Sequence, residues 1–300
     1  MNDYSSPMTV FDRRLVRSRR DRAASGFADY EFLFDESAAS LVERLQCVRR
    51  SFCHALDLGC HTGTAGRLAA SVKGIERLVS CDLSRPLVVQ AGDLAVVADE
   101  EALPFADESF DLILSNLSLH WVNDLPGALI QIKRALRPDG FFIASMLGGD
   151  TLKELRHCLF EAELEISGGA APRLSPLTTL SDAGQLLRRA GFALPVADVE
   201  TITVTYADMV RLMKDLRGMG ETSALLSRPR RPLGRAVLLE AARRYAELYA
   251  EPDGRLPATF QILHLAGWAP DPRIATFADG SRPAMVYPTA LTTSETNGNG

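Results

Sequence analysis

Between residues 52 and 146 one unit recurs: a short apolar run closing on an acidic or turn residue, then a helical stretch. Residues 52–58 run apolar into Asp57-Leu58-Gly59, residues 77–81 lead to Asp82, and residues 94–98 lead to Asp99. Residues 110–115 and 141–146 supply two further apolar runs, the second entered through the turn signal Arg137-Pro138-Asp139-Gly140. Helices are expected over 65–72, 84–90 and 123–136. Apolar strands joined by helices imply a parallel sheet covered on both faces. Right-handed crossovers put every strand's carboxyl end on one edge, where open α/β sheets bind ligands. The three aspartates fall on that edge.

The remaining segments read as additions to this sheet. Residues 1–50 form an N-terminal helical extension or lid. Residues 51–270 form the main domain, with helical insertions at about 150–190 and 206–250 and further strands at 196–205 and 258–268. Thr151 to Glu154 spells a capping box for a helix reaching residue 166. The tail, 289–300, lacks any core-forming pattern and reads as disordered. Arginines crowd residues 13–22 between Asp12 and Asp21, which reads as a solvated helix face, since an import leader would be poor in acids. A cytoplasmic protein is expected, or a mitochondrial matrix protein in a eukaryote.

Composition excludes several classes. A net charge of −5 is the wrong sign for a nucleic-acid binder, and no apolar stretch is long enough for a membrane span. Five cysteines without a C-x-x-C pair suit free thiols in a reducing compartment. Cys53-His54 and Cys60-His61 match no zinc spacing, and the five histidines form no two-histidine, one-carboxylate set, so no metal is expected.

Ala55-Leu56-Asp57-Leu58-Gly59-Cys60-His61-Thr62-Gly63 is a strand-to-helix loop whose glycines let backbone approach a ligand. His61 stands where a dinucleotide loop has its second glycine. Asp57 would repel a pyrophosphate and attract a cation, such as the amine and sulfonium of S-adenosylmethionine. Asp82 is placed to accept from a ribose diol, Leu83 to lie against adenine, and Asp99 to accept from its exocyclic amine. At the fourth strand end, Asn116 would hold the cofactor amino group or orient an acceptor. His120 and Trp121, read as opening the next helix, are candidates for a base and for a wall that stacks on a planar acceptor. For each of these three, a structural role is an open alternative.

Asp57-Leu58-Gly59-Cys60-x-x-Gly63, with Asp82 and Ala98-Asp99-Glu100-Glu101-Ala102-Leu103-Pro104-Phe105, resembles class I S-adenosylmethionine-dependent methyltransferases. Phe11-Asp12-Arg13, the run from Ser118 to Pro126, the run from Gly148 to Arg156, Gly218-Met219-Gly220-Glu221 and the run from Pro257 to Ile262 resemble one subgroup. That subgroup is the respiratory complex I assembly factor 5 family of protein arginine hydroxylases. A more distant likeness is to the malonyl-acyl-carrier-protein O-methyltransferase of biotin synthesis. The resemblance implies an α/β, Rossmann-like fold with a mostly parallel seven-stranded sheet, helices on both faces and an N-terminal helical extension. It implies S-adenosylmethionine as cofactor and a complex I subunit as protein substrate. The expected cofactor set is Asp57, Gly59, Cys60, Gly63, Asp82, Leu83, Asp99, Glu100 and Asn116; the expected catalytic set is His120, Trp121, Asn116 and Asp150. Glu100, Glu101 and Asp150 would form an acidic lip for a guanidinium. Three activities remain open: arginine hydroxylation, O-methylation of a small or carrier-bound acid, and a non-catalytic assembly role. The departure from the superfamily pattern is His61, where glycine is usual.

Overall fold

Seven strands make one sheet in the order β3-β2-β1-β4-β5-β7-β6. They are β1 (His54–Leu58), β2 (Arg77–Asp82), β3 (Ala95–Val97), β4 (Phe110–Asn116), β5 (Leu136–Leu147), β6 (Ala193–Tyr206) and β7 (Leu256–Trp268). The first five are parallel; β7 runs antiparallel to both β5 and β6. The computed structural model describes residues 9–229 and 231–271, so the expected tail at 289–300 lies outside the described residues. Strands β1 and β4 are buried along nearly their whole length, as expected of central strands covered on both sides.

Nine helices connect or flank these strands among the described residues: α1 (Arg13–Ala23), α2 (Phe32–Gln46), α3 (Thr64–Lys73), α4 (Arg85–Ala91), α5 (Leu125–Ala135), α6 (Lys153–Ser167), α7 (Leu180–Arg189), α8 (Met209–Gly218) and α9 (Arg235–Tyr249). Helix α2 is packed into the sheet's core, where Ala38, Leu41 and Leu45 meet Ala55, Leu112 and Phe141. Phe27 and Phe34 join a second core with Leu155 of α6, Leu212 of α8 and Phe260 of β7. The N-terminal extension is thereby fastened to the main sheet and to the insertion helices.

Three local expectations are corrected. Arg137-Pro138-Asp139-Gly140 does not precede β5 but lies within it; Asp139 takes a positive φ, and the β4–β5 register shifts there. His120 and Trp121 do not open a helix: they sit in a 3-10 turn, Leu119–Trp121, and α5 starts after Asp124, whose carboxylate caps Gly127 N. Thr151 and Glu154 form no capping box. Leu152, with φ of 56°, is the residue before α6, and no side chain caps that helix. Instead Thr151 Oγ1 pairs with the Gln261 backbone, while the buried Glu154 carboxylate takes the N–H and hydroxyl of Thr259. Tertiary partners on β7 outcompete the local cap, and the helix is tied to the strand.

Candidate functional site

The carboxyl ends of β1, β2 and β3 carry Asp57, Asp82 and Asp99, with Glu100 following. Asp57, Asp82 and Glu100 have no exposed surface. Asp57 Oδ2 accepts from Gly66 N at 3.0 Å, while Oδ1 is buried with no partner among the described residues. Burial, with the nearby Asp82 charge adding to it, pushes the Asp57 carboxyl up to about 7. A carboxylate with one orphan oxygen is a natural counter-group for a cation.

The other acids already have cations, supplied by α1. Arg20 Nη1 donates to Asp82 Oδ2 at 3.2 Å and Glu100 Oε1 at 3.1 Å, and Nη2 donates to Ser118 Oγ at 2.8 Å. Arg13 donates to Asp99 at 2.6 and 3.2 Å, to the Trp121 carbonyl at 3.1 Å, and to Glu100. The reading of residues 13–22 as a solvated face is therefore wrong for these two: Arg20 is only 2 % exposed and the Arg13 side chain 13 %. Arg13 and Arg20 share a face with the buried Val16 and Ala23, so arginines at apolar-face positions were the signal available. Burial alone would raise the Glu100 carboxyl, but Arg20 and Arg13 outweigh it and hold it down at about 2. Glu100 is thus neutralised inside the site and forms no lip. Two guanidiniums against Asp57, Asp82, Asp99 and Glu100 still leave carboxylates in excess.

The glycine loop has the backbone that a close-approach cradle requires. Gly59 and Gly63 have φ of +64° and +83°. A Cβ on Gly59 would lie 2.0 Å from Ser118 Oγ, and one on Gly63 would lie 2.7 Å from the Ala91 Cβ. His61 takes a glycine-like φ of 50° and turns its ring away under the extension. There it lies parallel to Phe27 at 5.7 Å and edge-on to Phe34 at 4.6 Å. Burial, with the Arg20 charge, pulls its pKa down to about 4, so the ring is neutral. Its amide donates to Asp82 Oδ2 at 3.0 Å, and Ser84 N donates to Oδ1 at 2.7 Å. The Cys60 thiol is buried and its pKa is pushed up by burial and the neighbouring Asp57 and Asp82. Leu83 is buried beside Phe11, Val16 and Trp121.

Past the ends of β4 and β5 a cavity of about 280 Å³ opens, whose lining includes His120, Trp121, Leu147, Glu221, Arg156, Arg173 and leucines from α6 and the 168–179 segment. Leu147 N donates to His120 Nδ1 at 3.5 Å, which leaves Nε2 to donate to Glu221 Oε2 at 3.0 Å. Trp121 Nε1 donates to the same carboxylate at 3.0 Å. Burial would raise the Glu221 carboxyl, but His120, Trp121 and the Arg20 charge hold it below its ordinary value. Glu221 is ionised in an apolar cavity. In the sequence it stands only as the last residue of Gly218-Met219-Gly220-Glu221, and nothing local places it 101 residues from His120 and in contact with it.

The other expected residues fall outside this cavity's lining. Asn116 is buried: Nδ2 donates to the Phe34 carbonyl at 2.9 Å and Oδ1 accepts from Ser145 Oγ at 2.7 Å, so its amide ties the extension to the sheet. Asp150 is exposed and accepts from Gln261 Nε2 at 3.0 Å. Glu101 is taken by the Asn123 amide groups. No group of three histidine, cysteine or carboxylate residues among the described residues is arranged to hold a metal.

A 3-2-1-4-5-7-6 sheet with an antiparallel seventh strand, a glycine loop after β1 and an acid after β2 defines the class I methyltransferase fold. Residues 56–144 match the family described as a methyltransferase domain. The mitochondrial arginine-hydroxylase NDUFAF5 of Danio rerio is 45 % identical over 271 residues, spanning 88 % of this chain and 84 % of that protein. The malonyl-acyl-carrier-protein O-methyltransferase of Gallionella capsiferriformans is 33 % identical over 288 residues, spanning 91 % of this chain and 95 % of that one. Among solved structures, phosphoethanolamine N-methyltransferase 2 of Haemonchus contortus, in complex with S-adenosylhomocysteine, superposes with a TM-score of 0.50 at 19 % identity, covering 85 % of this chain and 60 % of that one. The chain belongs to the S-adenosylmethionine-dependent methyltransferase superfamily, in the family of the NDUFAF5 arginine-hydroxylases.

Proposed function

We propose that this chain binds S-adenosylmethionine at the acid-lined end of the sheet and modifies an arginine side chain of a protein, the complex I subunit implied by its sequence resemblance. The observation that carries the arginine reading is Glu221: an ionised, buried carboxylate facing an apolar cavity, with Trp121 beside it and no salt bridge to an arginine or lysine among the described residues. A guanidinium entering that cavity gains a charge-assisted contact on one side and an aromatic surface on the other. His120 holds Glu221 in place through Nε2.

Fit to the cofactor rests on the orphan Asp57 Oδ1, the left-handed glycines and the excess of carboxylates. Asp57 and the Gly59–Gly63 backbone would hold the methionine end, while Asp82 for the ribose and Asp99 with Leu83 for the adenine would have to exchange their present contacts with Arg20 and the α1 segment for the cofactor. When bound, the cofactor supplies a methyl group on a sulfonium and a positive charge beside the acceptor. The chain's part is to align the two partners and exclude water, and alignment alone supplies much of the acceleration of such a transfer. In the Glu221→Gln variant, binding of a target arginine peptide should weaken by about 10- to 100-fold, the worth of one charged hydrogen bond, while S-adenosylmethionine affinity stays unchanged. Mass spectrometry of the partner subunit, with and without this protein, reads the reaction. A gain of one oxygen or of one methyl on an arginine supports the arginine reading and tells the two reactions apart; a modification on another residue type, or no change, overturns it.

A further inference from the structure

The same cavity holds a second charged group that a guanidinium substrate does not use. The Arg156 side chain, on α6, makes only two hydrogen bonds among the described residues, from Nη2 to the carbonyls of Thr151 and Ser175, both at 3.5 Å. That is the outer limit of a hydrogen bond. Its Nε is buried without a partner, as are the hydroxyls of Ser175 and Ser223, and all three residues line the cavity. Neither nearby acid is hydrogen-bonded to it among the described residues: Glu163 pairs with Arg173, and the Glu221 carboxylate is held by His120 and Trp121. The lining also carries leucines, among them Leu152, Leu155, Leu159 and Leu174.

A half-buried guanidinium without an acid and two hydroxyls without partners cost free energy, and native structures rarely keep such a set without a ligand to satisfy it. We propose that the α6 side of this cavity is a binding site for a carboxylate carried on an apolar body. The carboxylate takes charge-assisted hydrogen bonds from Arg156 and a neutral one from Ser175, whose carbonyl already lies against the Arg156 guanidinium, and the leucines cover the hydrocarbon. A neutral acceptor would leave the guanidinium uncompensated. A phosphate would bring a second negative charge, for which the lining offers no free cation among the described residues, since Arg173 is paired. The site does not depend on what Glu221 binds. It does set a further requirement on any substrate that fills the whole cavity, namely an anionic group beyond an apolar segment.

Calorimetry with the full chain, supported by the emission of Trp121, tests this with octanoate and octanol as probes. Octanoate should bind saturably and at least about tenfold tighter than octanol. Arg156→Gln should weaken octanoate by about 10- to 100-fold and leave octanol unchanged, which also shows that the cavity remains formed. Arg156→Lys should recover part of the loss. Equal affinity for the two probes, no octanoate binding, or an Arg156→Gln variant that keeps octanoate affinity would each overturn the proposal. Octylguanidine reads the opposite side: its binding depends on Glu221 and not on Arg156, so the arginine reading stands or falls separately.

Discussion

Replacing Arg20 by methionine removes one guanidinium from a site with no exposed carboxylate surface on Asp82 or Glu100. The neutral side chain has similar reach, so the packing of α1 is largely kept. Stranding a buried charge by deleting its partner costs about 3–5 kcal/mol. Glu100 is held at about 2 against an ordinary 4.5, so the attraction of Arg20, Arg13 and Ser118 exceeds the burial penalty on this carboxylate by about 3 kcal/mol. The loss should therefore be about 3 kcal/mol at neutral pH, read by urea unfolding, with a drop in Tm of roughly 6–12 °C. The pH dependence is diagnostic. A carboxyl with a depressed folded pKa contributes stability above its unfolded pKa and loses it as pH falls through the folded one. The deficit of Arg20→Met should thus shrink as pH drops from about 4.5 toward 2, because wild type loses there what the variant never had. A deficit below about 1 kcal/mol at neutral pH, or one that stays constant into acid, would refute the placement of Arg20 on these acids.

Asp57 gives the opposite sign: its folded pKa of about 7 lies above the ordinary 3.8, so its contribution to stability is present in acid and fades as pH rises through 7. A cationic ligand needs the ionised form, so S-adenosylmethionine affinity should rise about eightfold from about pH 6 to 7.5 in calorimetry and be flat in Asp57→Asn; a flat wild-type profile would sink the cation role. Gly59→Ala places a methyl 2.0 Å from Ser118 Oγ at a φ of +64°, whereas Gly74→Ala meets open space at a φ of +62°. Thermal unfolding should show a loss of about 2–4 kcal/mol for the first and about 1 for the second, and equal losses would contradict the tight loop.

Helix ends and site partners were legible to different degrees, for one reason. Where local chemistry acts alone, as at Asp124 capping α5, the sequence places the feature within two residues. Where a distant partner competes, local reading falls short: Thr151 and Glu154 look like a cap and instead grip β7, and for Asn116, where a cofactor role and a structural one stood side by side, the partners that count are Phe34 and Ser145. Arg13 and Arg20 look solvated because charge is usually outside, yet their position on the Val16–Ala23 face marks them as buried.

What the sequence by itself determines is the edge on which the chemistry lies. Parallel strands joined by right-handed crossovers end on one side, so Asp57, Asp82 and Asp99 must gather there whatever the details of packing. Tertiary structure alone decides what meets those acids. Arg20 reaches Glu100 across 80 residues, and Glu221 reaches His120 across 101. Pairings of that separation depend on how helices dock on the sheet, and no local periodicity encodes them. What is left over once they form, an orphan oxygen on Asp57 and an Arg156 guanidinium with no carboxylate partner among the described residues, follows from that docking and not from any single motif.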